Sequence, residues 1–281
     1  MKKQLLSLMI VTLMIVTLMI LSFYIHSIST EFSYKESYKF SCEQPNDLKI
    51  PKVIIQTYHN KSKIRNKVYK NIKKYAPEYT QIIYDDEECI KFLHQFDVTF
   101  KNIKTSNFNI VERFKSFKKG AHKADLFRYC YLYQHGGIYL DIKTELIKPL
   151  KNIFTQDNTL YTVLSLVKHT IYQGIIAVYP RNPMIGCLVN HCIFSSRLKL
   201  SMDYHIFTKF FYKYISKNVT ESKIKAGNQN TDTENNIYLF QEKLYPNSEC
   251  NNILDRYGYC SFINDEYGNK IFKTRYSDFP W

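Results

Sequence analysis

The apolar positions fall into short runs and into longer periodic stretches, and the two patterns predict strands and helices respectively. Runs of about four to eight apolar, β-branched and aromatic residues are typical of buried strands, whereas apolar positions three or four residues apart are typical of helices. The predicted strands are IPKVIIQTY (50–58), QIIYDDEE (81–88), IYLDI (138–142), LYTVLSLV (160–167) and IIAVY (175–179). The predicted helices cover residues 61–75, 87–96, 112–134 and 183–216.

The alternation of these strands and helices predicts the fold class of the large domain, residues 49–281. Strands that alternate with helices are typical of an α/β fold, in which a mostly parallel sheet is flanked by helices. Ligands of such sheets bind outside the carboxyl ends of the strands. Polar residues that follow a predicted strand are therefore the first candidates for a functional site.

The N-terminal segment has a different pattern, because no charged residue occurs between Leu5 and Ile25. A helix of about 20 apolar residues can cross the ~30 Å hydrocarbon core of a membrane. The alternative is a cleaved signal peptide, whose apolar region is about 7–15 residues long and is followed by a small-residue cleavage site. No such site is obvious, so an uncleaved anchor is the favoured interpretation.

The charges around this segment predict its orientation. Lys2 and Lys3 precede it and the next charged residue is Glu31, so the positive-inside rule keeps the N-terminus in the cytosol and exports the rest. The predicted organisation is a cytoplasmic tail (1–4), a transmembrane signal anchor (5–28), a stem (29–48) and the α/β domain. The chain is thus expected to be a single-pass type II membrane protein.

The formal net charge of +14 is compatible with a nucleic-acid or anionic-membrane partner. The favoured alternative is a solvated lysine-rich surface that reflects a biased composition, because Lys, Asn, Ile and Tyr are all abundant and an exported domain would rarely meet nucleic acid. We therefore expect no nucleic-acid partner. A positive field would also suit a nucleotide-diphosphate ligand.

The seven cysteines include no CxxC pair and no spacing typical of a metal site, so a zinc centre is not expected. Cys250 and Cys260 flank a turn-like segment and are the candidate pair for a disulfide in an exported domain. Cys130 lies in an apolar helix and is expected to be a buried thiol. The glycosylation sequons at Asn60 and Asn218 agree with a lumenal location.

The segment RYCYLYQHGGIYLDIKTELIKP (128–149) carries the candidate chemistry. Gly136 and Gly137 can end the preceding helix, where a left-handed conformation favours glycine. Side-chain alternation along the following strand places Tyr139, Asp141 and Lys143 on one face, where they can meet a ligand.

The helix before the glycines, AHKADLFRYCYLY, is apolar nearly all round and is therefore expected to be buried. Asp125 and Arg128 interrupt it at positions i and i+3, so they share one helix face. From this pattern alone, a structural ion pair inside the domain and a ligand-binding pair are both possible. For Asp141 alone, a turn-capping role and a functional role are equally compatible with the sequence.

The pattern A-x-K-A-D-L-x-R-Y-x-x-L-Y-x-x-G-G-I-Y-L-D, here Ala121 to Asp141, resembles the sugar-binding region containing the DXD motif of glycosyltransferase family 32. This family includes Och1-like mannosyltransferases and capsular sugar transferases. IPKVIIQTY resembles the family's first strand and APEYTQIIYDDEE its second, so the similarity extends over about residues 50–180.

The resemblance implies a GT-A fold and a retaining transfer of a sugar from a UDP- or GDP-linked donor to a glycan, glycolipid or glycoprotein acceptor. With the predicted anchor, it implies a lumenal domain in the Golgi or ER of a eukaryotic or viral system. The donor-binding residues implied by position are Asp125, Arg128, Gly137, Tyr139, Gln56, Thr57, Tyr58, Gln173, Gly174 and the C-terminal Trp281. Asp141 and Lys143 are the implied catalytic residues.

The chain departs from the family pattern at the second acid of the DXD motif, where Lys143 stands. An ammonium group could neutralise the leaving phosphates without a metal ion. Alternatively, a C-terminal acid such as Asp278 could complete a Mn²⁺ shell with Asp141. Two further departures are Ile55 and Tyr58, where the family usually has His and Trp; Tyr58 can still stack against a base.

Three functions compete at this point. The first is an enzyme, a membrane-anchored sugar transferase, and the second is an inactive relative that binds nucleotide sugar or glycan. Lys143 is the feature that supports the second. A basic nucleic-acid-binding membrane protein is the third, and it depends on the charge alone.

Overall fold

The computed structural model describes residues 9–22, 48–100, 109–195, 197–220, 224–231, 236–246 and 259–274. The chain divides into two units, Met1–Glu43 and Gln44–Trp281. In the first unit, residues 9–22 form the solvent-exposed helix α1. Among the residues that the structure describes, no helix has both the length and the apolar character that a membrane crossing requires. The rest of the predicted anchor and stem, up to residue 47, lies outside the described residues.

The second unit alternates strands and helices along the chain, as the pattern predicted. The strands are β1 (Val53–Thr57), β2 (Thr80–Tyr84), β3 (Gly137–Leu140), β4 (Glu145–Leu146), β5 (Thr159–Leu164), β6 (Ile171–Val178), β7 (Gly227–Gln229), β8 (Asn236–Pro246), β9 (Tyr259–Asn264) and β10 (Lys270–Thr274). The helices are α2 (Asn66–Tyr75), α3 (Asp86–Phe100), α4 (Ile110–Ser116), α5 (Gly120–His135), α6 (Pro183–Phe194), α7 (Arg197–Met202) and α8 (Ile206–Asn218), with short 3-10 helices at Lys61–Lys63 and Leu150–Asn152.

The strands form one ten-stranded sheet in the order β2-β1-β3-β6-β5-β8-β9-β10-β4, with β7 paired to β8. The sheet is mixed, so the prediction of a mostly parallel sheet is wrong. β1–β2, β1–β3 and β5–β8 are parallel, whereas β3–β6, β5–β6, β7–β8, β8–β9, β9–β10 and β4–β10 are antiparallel. The physical reason is the length of the links. Residues 165–170 join β5 to β6 and residues 265–269 join β9 to β10, and neither link can hold the crossover helix that parallel neighbours need.

The far edge of the sheet curls back towards α2. The side-chain amide of Asn71 in α2 donates to the Leu146 carbonyl and accepts from its N–H, at 2.9 and 2.8 Å. One hydrophobic core lies between this helix and the sheet, where Ile72 and Ala76 pack with buried residues of β1, β3, β5, β6, β8, β9 and β10. The curl therefore closes the apolar face that holds the strands together.

The predicted helix over 112–134 is two helices, α4 and α5. Phe117 is extended (φ −73°, ψ 119°) and its N–H bonds back to Phe114, which ends α4. α5 begins at Gly120, and glycine is a poor residue for a helix interior. From Asp125 to Tyr133 every residue of α5 is buried, which confirms the prediction of a buried helix.

Gly136 and Gly137 connect α5 to β3 in the left-handed region, with φ of +64° and +104°. A side-chain carbon on Gly136 would lie 2.7 Å from the Pro180 nitrogen, and one on Gly137 would lie 3.0 Å from the Val53 carbonyl oxygen. Both contacts are with backbone that cannot move aside cheaply. The two glycines thus fix where β3 starts relative to α5 and β1.

The four cysteines that the structure describes as free thiols are Cys89, Cys130, Cys187 and Cys192. The predicted burial of Cys130 is confirmed, since it is 0% exposed. Cys260 is disulfide-bonded. Its predicted partner, Cys250, lies outside the described residues.

Candidate functional site

The centre of the candidate site is the buried guanidinium of Arg128, which α5 delivers to the end of β3. Its Nη2 lies 3.5 Å from Asp125 Oδ1 and 3.6 Å from Asp141 Oδ1. Its Nη1 donates to the Gln173 carbonyl, and its Nε donates to the Ala124 carbonyl at 3.2 Å. One cation therefore holds two carboxylates and a strand of the sheet together.

The ring of Tyr139 packs against this cation in a cation–π contact, with its centroid 4.1 Å from the guanidinium carbon. The Tyr139 hydroxyl donates to Asp141 Oδ1 at 3.1 Å. Its contact with the Thr57 hydroxyl at 2.9 Å is then one in which Thr57 donates, because the phenol has a single hydrogen. β1 and β3 are parallel neighbours with Ile55 opposite Tyr139, which brings both hydroxyls to the carboxyl end of the sheet.

The two carboxylates differ in their access to solvent, since the Asp125 side chain is 9% exposed and that of Asp141 is 32% exposed. Burial raises the pKa of Asp125 to about 7; Arg128 opposes this shift and Asp141 adds to it. Burial alone would lower the pKa of Arg128, but the neighbouring Tyr139, Asp125 and Asp141 raise it, so the guanidinium stays charged. Asp141 is thus the more exposed acid of the pair.

Asp141 lies just after β3, at the first position of a turn. Its N–H donates to the Gly174 carbonyl at 2.7 Å, and the Thr144 N–H donates to the Asp141 carbonyl at 2.8 Å. The strand ends at Leu140, so the alternation that placed Asp141 and Lys143 on one strand face does not apply. The reason is the turn itself, for which Asp is a favoured first residue.

Lys143 is half-buried in this turn, and no hydrogen bond or ion pair joins its ammonium to the described residues. Glu145, two residues further on, faces α2 instead, with its Oε1 4.0 Å from the Lys67 ammonium. The catalytic role of Lys143 stays a prediction.

The β1 residues expected near a nucleoside lie beside the cluster. Gln56 is fully buried; its Nε2 donates to the Asp141 carbonyl at 3.5 Å and its Oε1 accepts from Gln81 at 2.7 Å. It therefore braces the backbone of Asp141. The Tyr58 ring contacts the His59 ring with centroids 4.4 Å apart and the planes tilted by 48°, and it packs against a small apolar cluster containing Ile142.

The β6 residues Gln173 and Gly174 support the site from the neighbouring strand. The Gln173 residue is 5% exposed, and both polar atoms of its amide are buried without a hydrogen-bond partner within the described residues. A side-chain carbon on Gly174 would lie 2.4 Å from the end of the Tyr172 ring, so the absence of a side chain lets that ring cover the strand. Gly137 is likewise explained by its close approach to β1.

Two predicted site residues, Asp278 and Trp281, lie outside the described residues. Within the described ranges, no group of three or more His, Cys, Asp or Glu side chains could hold a metal ion. These residues by themselves therefore do not complete a Mn²⁺ shell, and no chemical step is assigned to a metal here.

Sequence reasoning missed Tyr204, which lies between α7 and α8 and is 50% exposed. The His122 Nε2 is 3.1 Å from its carbonyl oxygen. The pKa of the Tyr204 phenol is raised by burial and by the charges of Asp125 and Asp141. No periodicity or motif around residue 204 indicates this position, because it depends on packing across more than eighty residues of chain.

The family comparison falls on the part of the chain that contains this cluster. Residues 62–160 match the family described as a glycosyltransferase sugar-binding region containing a DXD motif. A stretch of 101 residues is 30% identical to the initiation-specific alpha-1,6-mannosyltransferase of Saccharomyces cerevisiae (strain ATCC 204508 / S288c). This match covers 36% of the chain and 20% of the yeast protein, so the chain spans about a fifth of that relative's length.

Among solved structures, the PaToxG glycosyltransferase superposes with a TM-score of 0.40 at 22% identity, over 68% of this chain and 79% of that chain. The family match and the yeast relative support a glycosyltransferase of the family 32 type, as the Ala121–Asp141 pattern predicted. The matched region contains Asp125, Arg128 and Asp141.

Proposed function

We propose that this chain is a retaining glycosyltransferase with a GT-A-like fold, which moves a sugar from a UDP- or GDP-linked donor to a hydroxyl of a glycan, glycolipid or glycoprotein. The single observation that carries this proposal is the cluster in which Arg128 lies 3.5 Å from Asp125 and 3.6 Å from Asp141 at the end of β3. Burying charged groups costs several kcal/mol unless they are paired. A buried set in which Asp141 is the most exposed member suits recognition of sugar hydroxyls.

In the proposed reaction the bond between the sugar C1 and the diphosphate oxygen breaks, and its electron pair leaves with the diphosphate. The acceptor hydroxyl oxygen forms the new bond to C1 on the same face of the ring. Its proton passes to the departing diphosphate oxygen, so atoms and charge balance. Asp125 and Arg128 hold donor hydroxyls and Asp141 orients the sugar and ribose, so the transition state is stabilised mainly by positioning and charge.

The departing diphosphate needs positive charge, and Lys143 is the candidate to supply it from the turn after Asp141. A divalent ion such as Mn²⁺ would supply the same charge when bound, with Asp141 and Asp278 as the proposed ligands. The two alternatives differ in the expected response to chelation.

We further propose that the chain is a single-pass type II membrane protein with a lumenal catalytic domain. The uncharged run from Leu5 to Ile25, preceded by Lys2 and Lys3, supports the anchor and its orientation. The disulfide at Cys260 supports an oxidising compartment.

The test is a donor-hydrolysis screen of the full chain in detergent across UDP- and GDP-sugars, with and without Mn²⁺. At least one donor should be hydrolysed slowly without acceptor, and the activity should fall in Asp141→Asn. A screen with no hydrolysis of any donor, repeated with a panel of glycan acceptors, would contradict the proposal.

Lys143 favours a second candidate, an inactive relative that binds nucleotide sugar or glycan. Isothermal titration with the same donors separates the two functions. Binding without turnover would identify the inactive relative, whereas turnover of any donor excludes it.

A further inference from the structure

The half-exposed side chain of Tyr204 packs against α5. Its ring centroid lies 5.7 Å from that of His122, with the planes 31° apart, and the Lys119 ammonium lies 4.9 Å from the Tyr204 centroid. His122 is 3% exposed, and its ring also contacts Phe117 and Phe207 at 5.9 and 5.1 Å. One side of the Tyr204 ring is therefore backed by a rigid, buried aromatic cluster.

The backbone around Tyr204 is fixed as well. His122 Nε2 lies 3.1 Å from the Tyr204 carbonyl, and because a carbonyl only accepts, this nitrogen carries the hydrogen in the bond. The Asp203 carboxylate accepts from the His205 N–H at 2.9 Å and pairs with the Lys209 ammonium of α8 at 2.8 Å. A half-exposed aromatic ring on a backbone held at both sides is a preformed contact surface.

Its position relative to the charged cluster follows from the helix. His122 and Asp125 are separated by three residues in α5, so they lie on one face about one turn apart. Because Tyr204 packs on His122, it lies about one helical turn from Asp125 along this face. The electrostatic influence of Asp125 and Asp141 on the Tyr204 phenol agrees with this placement.

We propose that Tyr204 is the acceptor platform, the surface on which a pyranose ring of the acceptor stacks while its hydroxyl faces the donor. The inference rests on the proposed transfer reaction, and it names the acceptor class as a pyranoside rather than a protein hydroxyl. The apolar C–H face of a pyranose fits a phenol ring, and the adjacent Lys119 can donate to its hydroxyls. Tyr267, 82% exposed in the β9–β10 hairpin, contacts no other aromatic ring among the residues that the structure describes and serves as the matched control.

The experiment uses saturation-transfer NMR on the full chain in detergent with UDP or GDP present. The probes are methyl α-D-mannopyranoside, methyl α-D-glucopyranoside and methyl β-D-galactopyranoside. For at least one probe, the ring C–H protons should receive saturation in the wild type, in Tyr204→Phe and in Tyr267→Ala. In Tyr204→Ala the signal should fall about fivefold, as expected for loss of one aromatic contact. The melting temperature of Tyr204→Ala, measured in parallel, should stay within a few degrees of wild type.

Two results overturn the inference: no saturation of any probe in the wild type, or an equal signal in wild type and Tyr204→Ala. Measuring donor hydrolysis without acceptor distinguishes failure of the platform from failure of the proposed function. If the donor is hydrolysed but the pyranoside signals do not depend on Tyr204, only the platform is rejected. A Tyr204-dependent pyranoside signal with no donor turnover keeps the platform and rejects the transfer reaction.

Discussion

Replacing Arg128 with methionine should destabilise the domain in a way that depends on pH. Methionine keeps much of the apolar stem but removes the cation that pairs with Asp125 and Asp141 at 3.5 and 3.6 Å. Removing one partner of a buried ion pair costs about 3–5 kcal/mol, because the other charge stays buried without compensation. We expect a loss of this size at pH 8.

The pH dependence follows from the raised pKa of Asp125, about 7 in the folded protein against 3.8 as the reference value. Between these values the folded state binds more protons than the unfolded state, so stability falls as pH rises. Over the whole interval the wild type loses at most about 4 kcal/mol from this group. Without Arg128 the pKa of Asp125 rises further, so the loss continues above pH 7. The difference between variant and wild type should therefore be at least about 1.4 kcal/mol larger at pH 8 than at pH 5.

The assay is urea unfolding of the full chain, followed by far-UV circular dichroism at pH 5, 6, 7 and 8 and at constant ionic strength. Arg113→Met is the matched control, since Arg113 is a buried arginine that donates to the carbonyls of Cys192 and Ser195, which do not titrate. Its loss of stability should change less between pH 5 and pH 8 than the loss in Arg128→Met. An Arg128→Met loss below about 1 kcal/mol, or one that does not change with pH, would refute the reasoning.

Three further predictions concern the neighbouring residues. Asp141→Asn should lower turnover at least about tenfold, or 1.4 kcal/mol, with an unchanged circular dichroism spectrum, and unchanged turnover would remove Asp141 from the mechanism. Lys143→Ala should lose activity, whereas the wild type should keep its activity in EDTA. If EDTA abolishes the wild-type activity, Mn²⁺ restores it and Lys143→Ala is as active as the wild type, another acid completes a metal shell. Gly174→Ala should destabilise the domain by about 1–3 kcal/mol, because its new carbon would lie 2.4 Å from the Tyr172 ring. Adding Tyr172→Ala to this variant should restore much of the lost stability, as measured by urea unfolding.

The elements that the sequence predicted best are those decided by local burial. The helix around Asp125 and Arg128 is apolar on every side, which indicated a buried helix, and the spacing of three residues indicated their contact. Both are present, with 3.5 Å between the two side chains. Such features depend on residues that are close along the chain, so the spacing of apolar and charged residues in the sequence predicts them.

The features that the sequence did not predict depend on how distant segments meet. The direction of β6 relative to β5 follows from a six-residue link, and the alternating pattern alone suggested crossovers. The turn at Asp141 had a signal, aspartate at its first position, but the β-branched Ile142 and Thr144 suggested a continued strand. Tyr204 reaches the site through contacts with His122 in a distant helix, which no local pattern contains.

The double glycine and the following turn differ in how well they tolerate a substitution. Any side chain at Gly136 would collide with the backbone at Pro180, so those glycines are closed to substitution. Position 143 lies half-buried in a turn and makes no polar contact with the described residues, so the fold places little demand on what stands there. A different side chain can therefore stand at this position without disturbing the strand or Asp141. In the proposed transferase, the residue at position 143 is constrained mainly by the chemistry of the leaving diphosphate.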